Sequence, residues 1–293
     1  MRGLRLAGLM IGLVACQGSP SDPAPSPPDL TALKWLSSTA DPVAHLTQQP
    51  ATCLTQPTKP AVQRGALLFE SPTLLGGQAA KAGLSCAACH RNGRGNPDFV
   101  FVGISGAPGT ADVTHGLFSK LRADQVFNPV PIPDLATAEG RSRVDRSDPG
   151  ILESFLSAQI IEEFSGTPPD RDAVSDLAAY IRALDDTTCD DDQLERVSWR
   201  REIQLIRAGL TQDAPRTSAY TNAMRAAAGR IHERFPEAEH AALRQKLIAF
   251  SRALEADESN SDFESDLRAI EMDLAAADAS SLYNPEQLVG RWP

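Results

Sequence analysis

The sequence predicts a mostly α protein, loop-rich in its first half and helical in its second. Three observations lead there. Val174, Leu177, Ile181 and Leu184 recur at helical spacing and make one apolar stripe. Four amphipathic segments follow, near 193–212, 215–235, 237–256 and 261–278, with stripes such as Leu243, Leu247, Phe250 and Leu254. Residues 91–144, by contrast, are rich in Gly, Pro and Asn and show little sustained periodicity, as expected of loops and short turns. With 293 residues, 42% hydrophobic and 23% charged, the chain has the balance of a globular protein rather than a collagen-like, disordered or polytopic membrane chain. Its net charge of −10 comes without a Lys/Arg cluster that could track a phosphate backbone, so nucleic acid is excluded as the expected partner. An acidic surface of this kind steers a basic partner protein.

In chain order, residues 1–15 read as an export signal: a short basic start, then the apolar run 6–15, too short to span a bilayer. The run ends Leu13-Val14-Ala15-Cys16, which resembles a bacterial lipobox. That resemblance implies cleavage before Cys16 and a diacylglycerol on its sulfur. Gln17, in place of an aspartate, then favours the outer membrane in a Gram-negative host. Residues 17–29 carry five prolines among small polar residues, and the stretch 16–50 is expected to be a tether between anchor and body. A first domain is expected over 51–189 and an acidic helical bundle over 190–293.

Cys86-Ala87-Ala88-Cys89-His90 is the most informative stretch. On a helical turn, positions 86, 89 and 90 are related by i, i+3 and i+4, so the two thiols and the imidazole share one face. Two thiols at that spacing can each bond a vinyl group of haem while the adjacent imidazole reaches the iron, which is c-type haem attachment. A thioredoxin-like pair would need a βαβ context and no His90; a zinc site would need a second close Cys or His pair. With Cys16 assigned to lipid and Cys86 and Cys89 to haem, Cys53 and Cys189 remain, an even pair expected to form a disulfide in an exported protein.

Around this motif, residues 63–69 have helical spacing, and Gly150–Phe164 reads as a helix with Ile151, Phe155, Ile160 and Phe164 as its apolar positions. Thr167-Pro168-Pro169-Asp170 reads as a capped start for the next helix, with proline at its first position. Ser261-x-x-Glu264 is a capping box before the last one. Four short-looped helices of the second half can bury their stripes together as a bundle.

The run Arg64-Gly65-Ala66-Leu67-Leu68-Phe69, the CAACH motif, the loop region and the helix ending Tyr180-Ile181-Arg182-Ala183-Leu184 together resemble a cytochrome c domain. Arg64-Gly65-x-x-Leu68-Phe69 with Pro131-Ile132-Pro133-Asp134-Leu135 is similar to one haem domain of the bacterial di-haem cytochrome c peroxidases. The likeness spans residues 60–187; residues 190–293 resemble nothing we can name. Two departures stand out. Only one attachment motif is present, and the stretch 150–172, where that family's electron-transfer haem usually has a methionine ligand, holds neither Met nor His.

These readings imply a cytochrome c-like haem domain with one covalent haem c, bound by Cys86 and Cys89 and ligated by His90, in an exported, periplasmic, lipid-anchored protein. His115 is the candidate second axial ligand; Met224, Met272, His232, His240 and His45 are weaker ones. The expected function is one-electron transfer with a basic redox partner. A peroxidase-like enzyme with an open distal site is the alternative, with Glu162 and Glu163 as candidate acid/base groups; a haem-based sensor or scaffold is the third. His90 needs a carbonyl to fix its ring, expected near Asn96-Pro97 by analogy with cytochromes c. Arg141, Arg143 and Arg146 are candidates to pair haem propionates.

Overall fold

The computed structural model describes residues 29–289 and 291, apart from 191–192, 212, 216 and 257–261. The expected signal segment, Cys16 and most of the proline-rich stretch therefore lie outside the described residues. Residues Asp29–Val289 form one compact, mostly α unit. Its elements are α1 (Pro42–Thr47), β1 (Gln48–Pro50), α2 (Pro60–Phe69), α3 (Pro72–Leu75), α4 (Gly77–Ala82) and α5 (Cys86–Cys89), then β2 (Thr110–Ala111), β3 (Val130–Pro131), α6 (Ala138–Ser142) and α7 (Pro149–Ala158). They continue with α8 (Arg171–Ala183), β4 (Leu194–Arg196), α9 (Trp199–Gly209), α10 (Ser218–Glu233), α11 (Glu237–Ala256) and α12 (Phe263–Ala277). No helix among the described residues is long and apolar enough to cross a membrane.

The crossing of α2 and α8 organises the first half. Gly65 sits where the two backbones meet: a Cβ there would lie 2.0 Å from the Asp176 carbonyl oxygen and 2.7 Å from the Tyr180 Cβ, so only glycine lets the helices approach this closely. Arg64, next to it, closes the crossing with a buried fork onto Asp176, Nε to Oδ2 at 2.6 Å and Nη2 to Oδ1 at 3.2 Å. Tyr220 of α10 donates to the same carboxylate at 2.7 Å. One ion-paired carboxylate thus joins α2, α8 and α10.

The main core is continuous from α2 and α8 into α9–α12, through Leu67, Tyr180, Trp199, Ile206, Tyr220, Met224, Leu247 and Leu274. A smaller cluster, including Leu75, Leu84, Phe99, Ile104 and Phe118, lies beneath the loop region. The stripe Leu243, Leu247, Phe250 and Leu254 is buried on α11, as its spacing predicts.

Four local expectations need correction. Residues 30–50, expected within the tether, are folded: Leu30 and Leu46 are fully buried, Asp41 caps α1, and β1 pairs antiparallel with β4. The apolar side chains past Asp29 find partners that the preceding prolines lack. The segment beginning near 193 starts as that strand, Gln48 opposite Arg196, and becomes helical only at Trp199. Asp170, not Thr167, caps α8 by accepting from the Ala173 amide at 2.8 Å, which leaves Pro168 and Pro169 ahead of the helix. Asp262 caps α12 through the Ser265 amide at 3.1 Å; Ser261 lies outside the described residues.

Candidate functional site

Cys86 and Cys89 begin and end the single turn α5, and His90 follows with φ −110° and ψ 73°, values that stop the helix. The chain then turns left-handed at Asn92 (φ 55°) and Gly93 (φ 75°). Gly93 is packed onto the end of α8: a Cβ there would meet Leu184 at 2.5 Å and the Tyr180 hydroxyl at 3.1 Å. Asn92 fixes the turn from the other side, donating to the Pro50 carbonyl at 2.8 Å and to Glu195 at 2.7 Å. The motif is therefore gripped by α8, β1 and β4 together.

His90 Nδ1 lies 3.0 Å from the Pro133 carbonyl oxygen. A carbonyl can only accept, so this contact places the ring proton on Nδ1 and leaves the lone pair on Nε2. No described residue hydrogen-bonds Nε2. This corrects the expected acceptor near Asn96-Pro97; Asn96 instead donates to the Ala88 carbonyl at 2.8 Å and steadies α5. The Pro133 carbonyl is itself held in place. Ile132 donates to Gly109 at 2.9 Å, Leu135 donates to Gly93 at 3.1 Å, and Arg94 pairs Asp134 at 2.7 Å.

The two thiols and the imidazole are half-buried in surroundings that resist charge. Burial pushes the Cys86 and Cys89 thiols up to about 12. It pulls His90 down to about 4, against the opposing pull of the Pro133 hydrogen bond. The imidazole is neutral near pH 7, as a metal ligand must be. Partly buried Phe101, Val113, Ile132 and Phe164 pack on the cluster beside Cys86 and Cys89, while Ile151 and Phe155 of α7 are exposed. Two thiols, a neutral oriented imidazole and flanking apolar side chains fit the requirements of a c-type haem. Among the described residues, no group of three or more His, Cys, Asp or Glu is placed to hold a bare metal ion.

Cys53 and Cys189 lie at disulfide distance, their Cα atoms 5.6 Å apart and 136 residues apart in sequence. Arg94 Nη1 lies 3.0 Å from the Cys53 sulfur, so one side chain ties the disulfide to the loop that orients His90.

The other candidates are placed differently. His115 is exposed, and its Nδ1 accepts from the Leu117 amide at 3.1 Å. A neutral imidazole bonded this way has its one lone pair occupied. His115 borders a cavity of about 320 Å³ with Asp124, Val126 and Phe127, whose walls do not include Cys86, Cys89 or His90. Glu162 and Glu163, in the π-turn 159–163 that continues α7, both pair Arg122 at 2.9 Å. Arg122 thereby fastens the 115–125 loop to the end of α7, and neither carboxylate is free of an ion pair.

Arg146 bridges the Ile181 and Leu135 carbonyls at 2.7 and 2.8 Å, Arg141 pairs Asp185, and Arg143 pairs Glu139. Met224 is core against Gly209, and Met272 is exposed on α12. His45 bonds Arg91, and His240 lies against the Phe235 ring. His232, on α10, has a buried Nε2 with no hydrogen-bond partner among the described residues. The Pro133 carbonyl is the functional group that sequence reasoning missed, although the Pro-Ile-Pro-Asp run that carries it was visible.

No family model, curated protein or solved structure matches the chain.

Proposed function

We propose that the protein is a c-type cytochrome that passes single electrons, held at a membrane by lipid on Cys16. The observation that carries the reading is the His90 imidazole, fixed through Nδ1 by the Pro133 carbonyl, with Nε2 unpartnered, on the same turn as two thiols. Bound haem would supply an iron that changes between ferric and ferrous states. Cys86 and Cys89 would hold the macrocycle, and His90 would ligate the iron. The Pro133 hydrogen bond fixes the ring and raises its basicity. Phe101, Val113, Ile132 and Phe164 would shield such a group from water. Glu162 and Glu163 serve as anchors for Arg122, which leaves electron transfer better supported than acid–base peroxide chemistry.

One observation favours a second reading. The His115 lone pair is taken by the Leu117 amide, so His115 must break that contact to ligate. A sixth position left open would let a small molecule bind. The test is the intact mass of the protein matured in an exporting, haem-attaching host. The reading expects one covalent haem per chain, lost when Cys86 and Cys89 are both changed to Ser. A wild-type chain that carries no covalent haem overturns it.

A further inference from the structure

We propose that the cavity behind α5, between Arg91 and Arg234, binds a small organic anion through its carboxylate. The cavity, about 480 Å³, lies against Ala87 and Ala88, on the face of α5 opposite Cys86, Cys89 and His90. Residues from the 31–49 segment, α9 and α10 complete its walls. The inference stands on residues outside the haem-attachment face and holds whether or not haem binds there.

Charge is the first argument. Five cations border the cavity against three carboxylates, Glu70, Glu202 and Glu233. Glu70 and Glu202 are already used: Glu70 pairs Arg201 and Arg230, and Glu202 pairs Arg230. Among the described residues, neither Arg91 nor Arg234 has a carboxylate at ion-pair distance. Arg91 reaches His45 Nδ1 at 3.1 Å, the His45 carbonyl at 2.5 Å and the Gln48 carbonyl at 2.6 Å. Arg234 reaches the neighbouring Leu46 carbonyl at 3.0 Å and the Leu282 carbonyl at 3.1 Å.

Two guanidinium groups thus hang from consecutive carbonyls of α1, spending part of their donors on neutral acceptors. Nε of both, and Nη2 of Arg234, have no acceptor among the described residues. Buried cations without a carboxylate at ion-pair distance are costly, and a bound carboxylate relieves that cost. The remaining acid, Glu233, is held by the Thr31 amide at 3.1 Å and hydroxyl at 2.8 Å. Burial raises its carboxyl from the ordinary value, against the pull of Thr31, Arg234 and Arg230.

Shape is the second argument. Gly229 stands in the middle of α10, where glycine is a poor helix former, yet a Cβ added there meets nothing within 4 Å. Gly229 is exposed on the cavity wall, and no packing contact requires glycine there. Trp35, Tyr283 and the small side chains of Ala80, Ala87, Ala88 and Ala226 leave room for an apolar body of several carbons. An organic acid matches these walls better than a bare inorganic ion.

The test is calorimetric titration of the full-length protein with benzoate and succinate, with benzamide as the uncharged counterpart of benzoate. At least one carboxylate is expected to bind saturably, and benzamide at least tenfold more weakly than benzoate. Gly229→Leu fills the cavity from a side where added atoms meet open space; it should weaken carboxylate binding at least tenfold with the circular dichroism unchanged. Arg234→Gln should weaken it similarly, but it also strips two backbone carbonyls of their donor, so Gly229→Leu decides the question. No saturable binding of either carboxylate, equal binding of benzamide and benzoate, or undiminished binding to Gly229→Leu would overturn the proposal.

Discussion

Asp176→Ala removes the carboxylate that α2, α8 and α10 share. Arg64 would lose its bonds at 2.6 and 3.2 Å, and Tyr220 its bond at 2.7 Å. The side chains of Arg64 and Asp176 are only 10% and 8% exposed, so the stranded guanidinium would stay largely out of water. Its other partner, Asp213 at 3.2 Å, has a side chain 67% exposed. An exposed pair of that kind is worth roughly 1 kcal/mol or less. Breaking one side of a buried pair costs about 3–5 kcal/mol, and an unsatisfied buried hydroxyl about 1–3 kcal/mol.

Because the two losses share one acceptor they do not add, and the expected destabilisation is about 4 kcal/mol. Replacing both charges, Arg64→Met with Asp176→Leu, should cost far less, about 1–2 kcal/mol including the Tyr220 hydroxyl. Urea unfolding followed by circular dichroism would read the difference as a shift in midpoint at constant slope. A loss below about 1 kcal/mol for Asp176→Ala would refute the reasoning. So would a double variant as unstable as the single one.

Two more outcomes follow from the same geometry. Changing Cys53 and Cys189 to Ala opens a loop of 136 residues; chain entropy sets the loss at about 5 kcal/mol, an upper figure, measurable as a lower urea midpoint. His45 links stability to pH. Burial, reinforced by Arg91, lowers its imidazole from 6.5 to about 3. The unfolded chain therefore takes up this proton before the folded one does. The stability held by the neutral ring is fully present above about pH 6.5 and is lost as pH falls toward 3, at up to about 1.4 kcal/mol per pH unit. Wild type minus His45→Gln should slope this way across that window in urea titrations, and parallel curves would refute the assignment.

Periodicity made the helices legible. The segments read near 215–235, 237–256 and 261–278 became α10, α11 and α12, because each carries a long enough stripe to name its buried face. The shorter elements were not legible. Residues 194–196 form a strand only because β1 lies beside them, and nothing in three residues announces a partner 146 positions away.

The same holds at the site. Cys86, Cys89 and His90 carry their chemistry in their identities and spacing, and the parity of the cysteines points to the pair that the fold brings together. The acceptor for His90 is a backbone carbonyl 43 residues on, and carbonyls have no residue-type mark. Glu162 and Glu163 looked available until Arg122, forty positions earlier in sequence, was brought against them by the fold. Charge pairing across a loop region without periodicity is set by tertiary packing.

The central claim is a covalently held haem that exchanges one electron, and spectroelectrochemical titration of the matured, full-length protein tests it most directly. The account predicts haem absorbance on the protein that follows a single, fully reversible one-electron curve in both directions. It is contradicted by a protein without haem absorbance, or by haem that cannot be cycled reversibly between its ferric and ferrous forms.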